Sequence, residues 1–204
     1  MIYIFENTQN LNENFVEQAF PLLSVQRQKK IEKYNILSDK INGCIGFLLL
    51  KYALKNEFDI DDKPEFIFGE REKPFLKDYP DIFFSISHCK NAVVCAVSNK
   101  NIAVDIMDYR KAKSSVIRRV CSSDEQNLLS VSNNIDKAFT RLWVMKECYS
   151  KLDGRGLSLD FSKITNKLNE CKNIKYIETD DYILGYTEIN SNKIIKLNIN
   201  NILV

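Results

Sequence analysis

Three short runs, "DIFFSIS" (81–87), "AVVCAVS" (92–98) and "NIAVDIM" (101–107), crowd β-branched and aromatic side chains into the middle of the chain. Extended segments this close together must pair in sheets, and each sheet needs a covering layer. The flanking sequence supplies one on both sides. Upstream, Met1 to Phe5 reads as a strand. Ser24 precedes a charged helical segment, "VQRQKKIEKYN", and Ser38 is placed to cap a long helix through about Asn56 with Ile41, Ile45, Leu48, Leu49 and Tyr52 on its apolar face. Gly43 and Gly46 inside that helix lower its propensity by about 1 kcal/mol each, which implies a neighbour packed close to the backbone. "NKN" at 99–101 has the form of a hairpin turn between the second and third runs. Downstream, Ser122 to Glu125 has capping-box spacing, and a helix runs on through "FTRLWVMKECYSKLDGRGLS" to about Leu152. "YIET", "YILGYTEI" and "KIIKLNI" then read as antiparallel strands. The order strand, helices, strands, helices, strands predicts an α+β fold of two similar halves, 1–100 and 101–204, with the active site where they meet.

Composition narrows the class. The 204 residues are 45% hydrophobic and 11% aromatic, enough for a sizeable core. A formal charge of +2 argues against a nucleic-acid-coating protein, while leaving room for a local basic cluster. The six cysteines include no C-x-x-C pair, and their apolar or helical flanks predict buried free thiols rather than a zinc site. The N-terminus lacks the pattern of a signal peptide, and no apolar run approaches the roughly 20 residues of a membrane span. A reducing cytoplasm is the expected location.

A few polar residues do not fit a core. In strand 101–107, Ile102, Val104 and Ile106 share one face, and Ala103, Asp105 and Met107 the other. An aspartate inside an apolar strand is costly unless it faces water, is paired or binds a metal. His88, the single histidine, follows a strand ending Ser-Ile-Ser; with no G-x-S-x-G elbow, a serine hydrolase carries little weight. Trp143, Glu147 and Lys151 fall at i, i+4 and i+8 on one helix stripe, either as an exposed salt-bridged face or as a site. Gly154 or Gly156 suits a left-handed helix stop.

Taken in order, "FSISHCKNAVVCAVSNKNIAVDIM" and "LWVMKECYSKLDGRGLSL" resemble the two signature regions of the 4′-phosphopantetheinyl transferases, and most closely the Sfp-type (surfactin-synthetase-activating) branch. The first region matches at Ser87, His88 and Asp105. The second matches at Trp143, Lys146, Glu147, Lys151, Gly154, Gly156 and Leu157. "EKPFL" (72–76) aligns Lys73 and Pro74 with the family's G-K-P segment, and "SVQRQKK" (24–30) aligns Arg27 and Lys30 with its basic segment.

The resemblance implies an enzyme that moves the phosphopantetheine arm of coenzyme A onto a serine of an apo acyl or peptidyl carrier protein, releasing 3′,5′-ADP. It implies Mg²⁺ (or Mn²⁺) held by Asp105 and Glu147, with Glu147 as base and Lys151 stabilising the departing phosphate. Arg27, Lys30 and His88 would contact the 3′-phosphate, and Lys73 and Ser87 would line the nucleotide site. The two halves would form an intramolecular pseudo-dimer, so a monomer is expected. Four positions depart from the pattern: Met107 stands where a second strand carboxylate is usual, Asn42 and Gly43 replace an arginine and a hydroxyl residue, and Cys89 replaces a serine. Met107 motivates the alternative, a catalytically degenerate homologue that binds coenzyme A or a carrier protein without transfer.

Overall fold

The structure, a computed structural model, describes residues 1–69, 73–156, 159–164, 173–189 and 193–203. Its layers follow from how each strand divides its side chains. β1 (Ile2–Glu6) lies between β5 (Ala92–Ser98) and β9 (Ile194–Leu197), and β4 (Phe83–His88) forms the far edge of this four-stranded sheet. Tyr3 and Phe5 point to one side, where they meet α3 (Leu37–Phe58) through Phe47, Leu48 and Leu54. Ile2 and Ile4 point to the other, where they meet Ile102, Val104, Ile106 and Leu184. The last three belong to a second sheet, in which β6 (Val104–Asp108) is an edge strand, β8 (Tyr182–Thr187) is central and β7 (Ile174–Glu178) completes it. α6 (Ile135–Asp153) covers its outer face through Val144 and Cys148. The order is therefore helix, sheet, sheet, helix, an α+β architecture. The shorter elements α1 (Glu13–Ala19), α2 (Val25–Glu32), α4 (Ser114–Val120), α5 (Ser123–Ser130), α7 (Ile199–Ile202) and the β2 (Phe66–Phe68)–β3 (Pro74–Leu76) ribbon fill the flanks.

Local chemistry sets several boundaries. The Ser24 side chain accepts from the Arg27 N–H to start α2, and Ser122 and Glu125 form the expected capping box at α5. α3 begins one residue earlier than Ser38: Ile36 is its extended N-cap, without a side-chain cap, and its carbonyl accepts from Asp39 and Lys40. Gly154, at φ 84°, ends α6 in the left-handed conformation.

Both glycines of α3 mark close approaches. A Cβ at Gly43 would collide with Ile31 Cδ1, and one at Gly46 would meet Ile86 Cγ2 at 3.1 Å. Gly185 does the same for α6, since a Cβ there would lie 2.6 Å from Val144 Cγ1.

Two strand expectations are corrected. Residues 99–101 do not close a hairpin, because β5 and β6 belong to different sheets and β6 pairs with β8, Asp105 opposite Gly185. The last strand does not continue an antiparallel meander: β9 pairs parallel with β1, Tyr3 opposite Ile195, and so sits among strands from the first hundred residues. Among the described residues, no helix is long and apolar enough to cross a membrane. Cys44, Cys89, Cys95, Cys121 and Cys148 are buried free thiols, and Cys171 lies outside the described residues.

Gly185→Ala is expected to destabilise the protein by about 1–3 kcal/mol, because the added methyl overpacks the sheet against Val144. Urea unfolding of the two proteins checks this.

Candidate active site

The edges of the two sheets meet where β4 faces β6, and serine side chains join them. Ser85 Oγ accepts from the Val104 N–H at 3.1 Å and donates to the Val104 carbonyl at 3.4 Å. One pleat further, Ser87 Oγ accepts from the Ile106 N–H at 3.4 Å and donates to Asp105 Oδ1 at 2.7 Å. The alternation of Ser-Ile-Ser places both hydroxyls on this seam and Ile86 on the opposite face, against α3.

Asp105 is 6% exposed, so its carboxylate needs partners. Besides Ser87 it receives Lys151 Nζ at 2.7 Å, and the same ammonium donates to the Val104 carbonyl at 3.1 Å. Glu147, one turn earlier on α6, is partly buried beside them. Burial and the neighbouring Asp105 charge push its pKa above the ordinary carboxylate value, with Lys151 pulling in the opposite direction. His88 ends β4 with Nδ1 facing the Asn42 amide at 3.5 Å. Burial and the Lys151 charge hold its pKa below the usual histidine value. The Asn42 carbonyl oxygen and Ser150 Oγ are buried with no hydrogen-bond partner among the described residues.

Two cavities lead away from this cluster and share Pro74. The nearer, about 260 Å³, is lined by Lys73, Ser85, Ser150, Lys151, Gly154 and Gly156 among others. The farther, about 410 Å³, is basic, with Arg27, Lys29, Lys30 and Lys33 on one side and Phe66 and Phe68 on the other. Arg27 spends two of its five N–H groups on the Gly43 carbonyl, at 2.8 and 3.2 Å, and its burial lowers its pKa. Lys73 Nζ donates to Asn101 Oδ1 at 3.2 Å, and burial lowers its pKa.

The structure thus brings Ser87, Asp105, Glu147 and Lys151 into one cluster with His88 at its border. Lys73 opens onto the cavity beside it, and Arg27 and Lys30 line the basic cavity beyond. Glu72 and Leu157, part of the motifs read from the sequence, lie outside the described residues. Sequence reasoning missed two contributors and the role of a third, Lys146, which it had named only as a signature position. Ser85 zips the seam, and its place two residues before Ser87 was the available signal. Asn101 donates to the Leu152 carbonyl at 2.8 Å while accepting from Lys73, so the residue read as a turn latches the end of α6. Lys146 is fully buried. Its ammonium donates to Glu125 at 2.6 Å and to the carbonyls of Phe161 and Val120 at 2.7 and 2.8 Å, tying α6 to α4, α5 and the 3₁₀ turn Phe161–Lys163.

The cations lining the basic cavity make it a favourable place for an anion. The model of the 4′-phosphopantetheinyl transferase superfamily matches residues 101–189, the stretch carrying Asp105, Glu147 and Lys151. The chain is 31% identical over 160 residues to the 4′-phosphopantetheinyl transferase psf-1 of Bacillus pumilus, covering 76% of this chain and 68% of the relative. It is 27% identical over 167 residues to the 4′-phosphopantetheinyl transferase Sfp of Bacillus subtilis strain 168, covering 80% and 72%. A further Bacillus subtilis 4′-phosphopantetheinyl transferase is 30% identical over 159 residues, covering 76% and 70%. The chain belongs to the 4′-phosphopantetheinyl transferases, an enzyme family, and to their Sfp-type branch.

A raised carboxylate pKa means that the folded protein disfavours ionised Glu147. Stability from this group is present below the ordinary glutamate value of 4.5 and is lost as pH rises through the higher folded value. Glu147→Gln should therefore melt above wild type at pH 7–8 and lose that advantage near pH 4, as thermal melts across the range would show.

Proposed function

We propose that this enzyme transfers the 4′-phosphopantetheine group of coenzyme A to a serine of an apo acyl or peptidyl carrier protein, giving the holo carrier and 3′,5′-ADP. The observation that carries the reading is the Asp105–Lys151 pair at the seam, beside Glu147 and next to a cavity chain that ends in four cations. In this reading the site forms between halves 1–100 and 101–204 of one chain working as a monomer in the cytoplasm, where buried free thiols stay reduced.

The donor set suits a hard divalent cation. Asp105 and Glu147 are oxygen ligands close enough for one charge to raise the other's pKa, a repulsion that Mg²⁺ or Mn²⁺ would relieve. Among the described residues no cluster of three His, Cys, Asp or Glu is placed to hold a metal, so the protein offers these two carboxylates. Bound there, the ion would offset charge developing on the pyrophosphate.

The remaining roles fall to the chain's own groups. Glu147, with its raised pKa, accepts the proton of the acceptor serine hydroxyl as that oxygen attacks the β-phosphorus of coenzyme A. Lys151 gives two donors to Asp105 and Val104 and keeps a third for the leaving phosphate oxygen. Arg27, Lys30 and His88 hold the 3′-phosphate, and Lys73 and Ser87 line the nucleotide's path.

Incubating the protein with apo carrier proteins, coenzyme A and Mg²⁺ should add the mass of one phosphopantetheine to the carrier. Lys151→Met should lower kcat by about 10²–10³. No mass gain across several carriers and metals would point instead to a homologue that binds without transfer, the reading that Met107 motivates.

A further inference from the structure

Ser150 lies on α6, one turn after Lys146 and one turn before Gly154, and is fully buried. A serine inside a helix often satisfies its hydroxyl on the carbonyl four residues back. Ser150 Oγ makes no such bond, nor any other among the described residues. A buried hydroxyl left unpaired keeps its whole desolvation penalty, so its place needs a reason. The surroundings supply one. Ser150 is in the wall of the cavity of about 260 Å³, together with Lys73, Ser85 and Lys151. Of the two serines in that wall, Ser85 is spent on both backbone groups of Val104, and Ser150 is not spent at all. Lys73 lies over the same end of the helix: a Cβ at Gly154 would be 3.3 Å from its Cδ and 3.9 Å from its Nζ, and the Gly154 N–H bonds to the Ser150 carbonyl at 3.0 Å. The Lys73 ammonium donates to Asn101 and meets no carboxylate among the described residues. Ser150 is not among the signature positions read from the sequence, so the family resemblance assigns it no role.

We infer that Ser150 is a substrate-binding residue: its hydroxyl donates a hydrogen bond to the phosphate that leaves on 3′,5′-ADP, held in this cavity between Lys73 and Lys151. The inference rests on the transfer reading above and adds a donor to it. Three features support a phosphate as the acceptor. Two ammonium groups share the wall with the hydroxyl, so the ligand that fits there is an anion. The other side chains of the wall, Phe84, Ile86, Ile102 and Pro74, are apolar, and Ser85 is occupied. An anion in the cavity therefore finds its side-chain donors in Lys73, Lys151 and Ser150. A hydroxyl given to a charged oxygen also makes a stronger bond than one given to a neutral carbonyl. The penalty of the unpaired hydroxyl belongs to the free protein and is relieved in the complex, so it favours the bound state. The reaction sharpens this preference. As the acceptor serine bonds to the β-phosphorus, the bond from that phosphorus to the bridging oxygen breaks, and its electron pair passes to the bridging oxygen. Negative charge grows on the departing phosphate while Ser150 keeps its proton. The hydrogen bond then tightens toward the transition state, so Ser150 contributes to kcat as well as to binding.

The test uses Ser150→Ala, which deletes the hydroxyl, and Ser150→Cys, which keeps the shape with a weak donor. Thermal melts are recorded without ligand. Calorimetry with Mg²⁺ then measures binding of 3′,5′-ADP, of dephospho-coenzyme A, which lacks the 3′-phosphate, and of 4′-phosphopantetheine, which lacks the leaving one. Turnover is followed with apo carrier and coenzyme A. Both variants are expected to melt at or above wild type, because an unpaired buried hydroxyl has been removed. Both are expected to bind 3′,5′-ADP and dephospho-coenzyme A about tenfold more weakly, to bind 4′-phosphopantetheine as wild type does, and to lose about tenfold in kcat. If wild type modifies the carrier and the variants match it in every Kd and in kcat, the Ser150 assignment is wrong while the transfer reading stands. If no carrier is modified but 3′,5′-ADP binding still weakens in both variants, the transfer reading fails and the phosphate contact survives. A loss confined to 4′-phosphopantetheine, a loss in the alanine variant that cysteine restores, or ligand-free melting well below wild type would each overturn it, placing the hydroxyl against the pantetheine arm, in packing, or in the fold.

Discussion

A carboxylate 6% exposed, inside an apolar edge strand, organises this protein. Asp105 is tolerable only because Lys151 and Ser87 reach the same oxygen, each at 2.7 Å. Those partners come from α6 and β4, elements that lie on different layers. Satisfying one buried charge therefore joins two sheets and a helix at a single point. The serine contacts along β4 extend that junction over two pleats, replacing the ladder that two sheet edges would otherwise lack.

Close packing makes this convergence possible. Gly185 stands opposite Asp105 in the neighbouring strand, and its missing side chain lets Val144 approach the sheet. α6 sits close enough for Lys151 to touch the strand edge only because of that gap. The helix must also stop promptly. Gly154 turns it in a left-handed conformation where a side chain would press on Lys73, and Asn101 caps the Leu152 carbonyl. Glu147 is then left between desolvation, which favours its proton, and Lys151, which favours its loss. The balance leaves its pKa above the ordinary carboxylate value.

Much of this was legible in the chain. An aspartate in an apolar strand, a Glu-Lys pair one turn apart and two paired glycines marked the cluster and the stop, while Ser24 and the Ser122 box marked helix starts. What escaped was pairing. Alternation tells that residues 92–98 and 101–107 are strands, but not that one joins β1 and the other β8, since both partners bury the same kind of face. It likewise cannot tell that residues 194–197 return to lie parallel with β1. Lys146 stood out as a signature position, but its role did not: only the fold shows three acceptors converging on its ammonium.

The same economy runs through the molecule. Lys146 and Lys151, five residues apart on α6, each satisfy a buried carboxylate. One anchors α4, α5 and the 3₁₀ turn Phe161–Lys163 to α6, and the other anchors the seam. The claim that the second pair binds the layers together is tested most directly by a double-mutant cycle on stability, using Asp105→Asn, Lys151→Met and the combination, followed by urea unfolding. The account predicts a coupling of about 1–3 kcal/mol between the two positions. Energies that simply add, within about 0.5 kcal/mol, would contradict it.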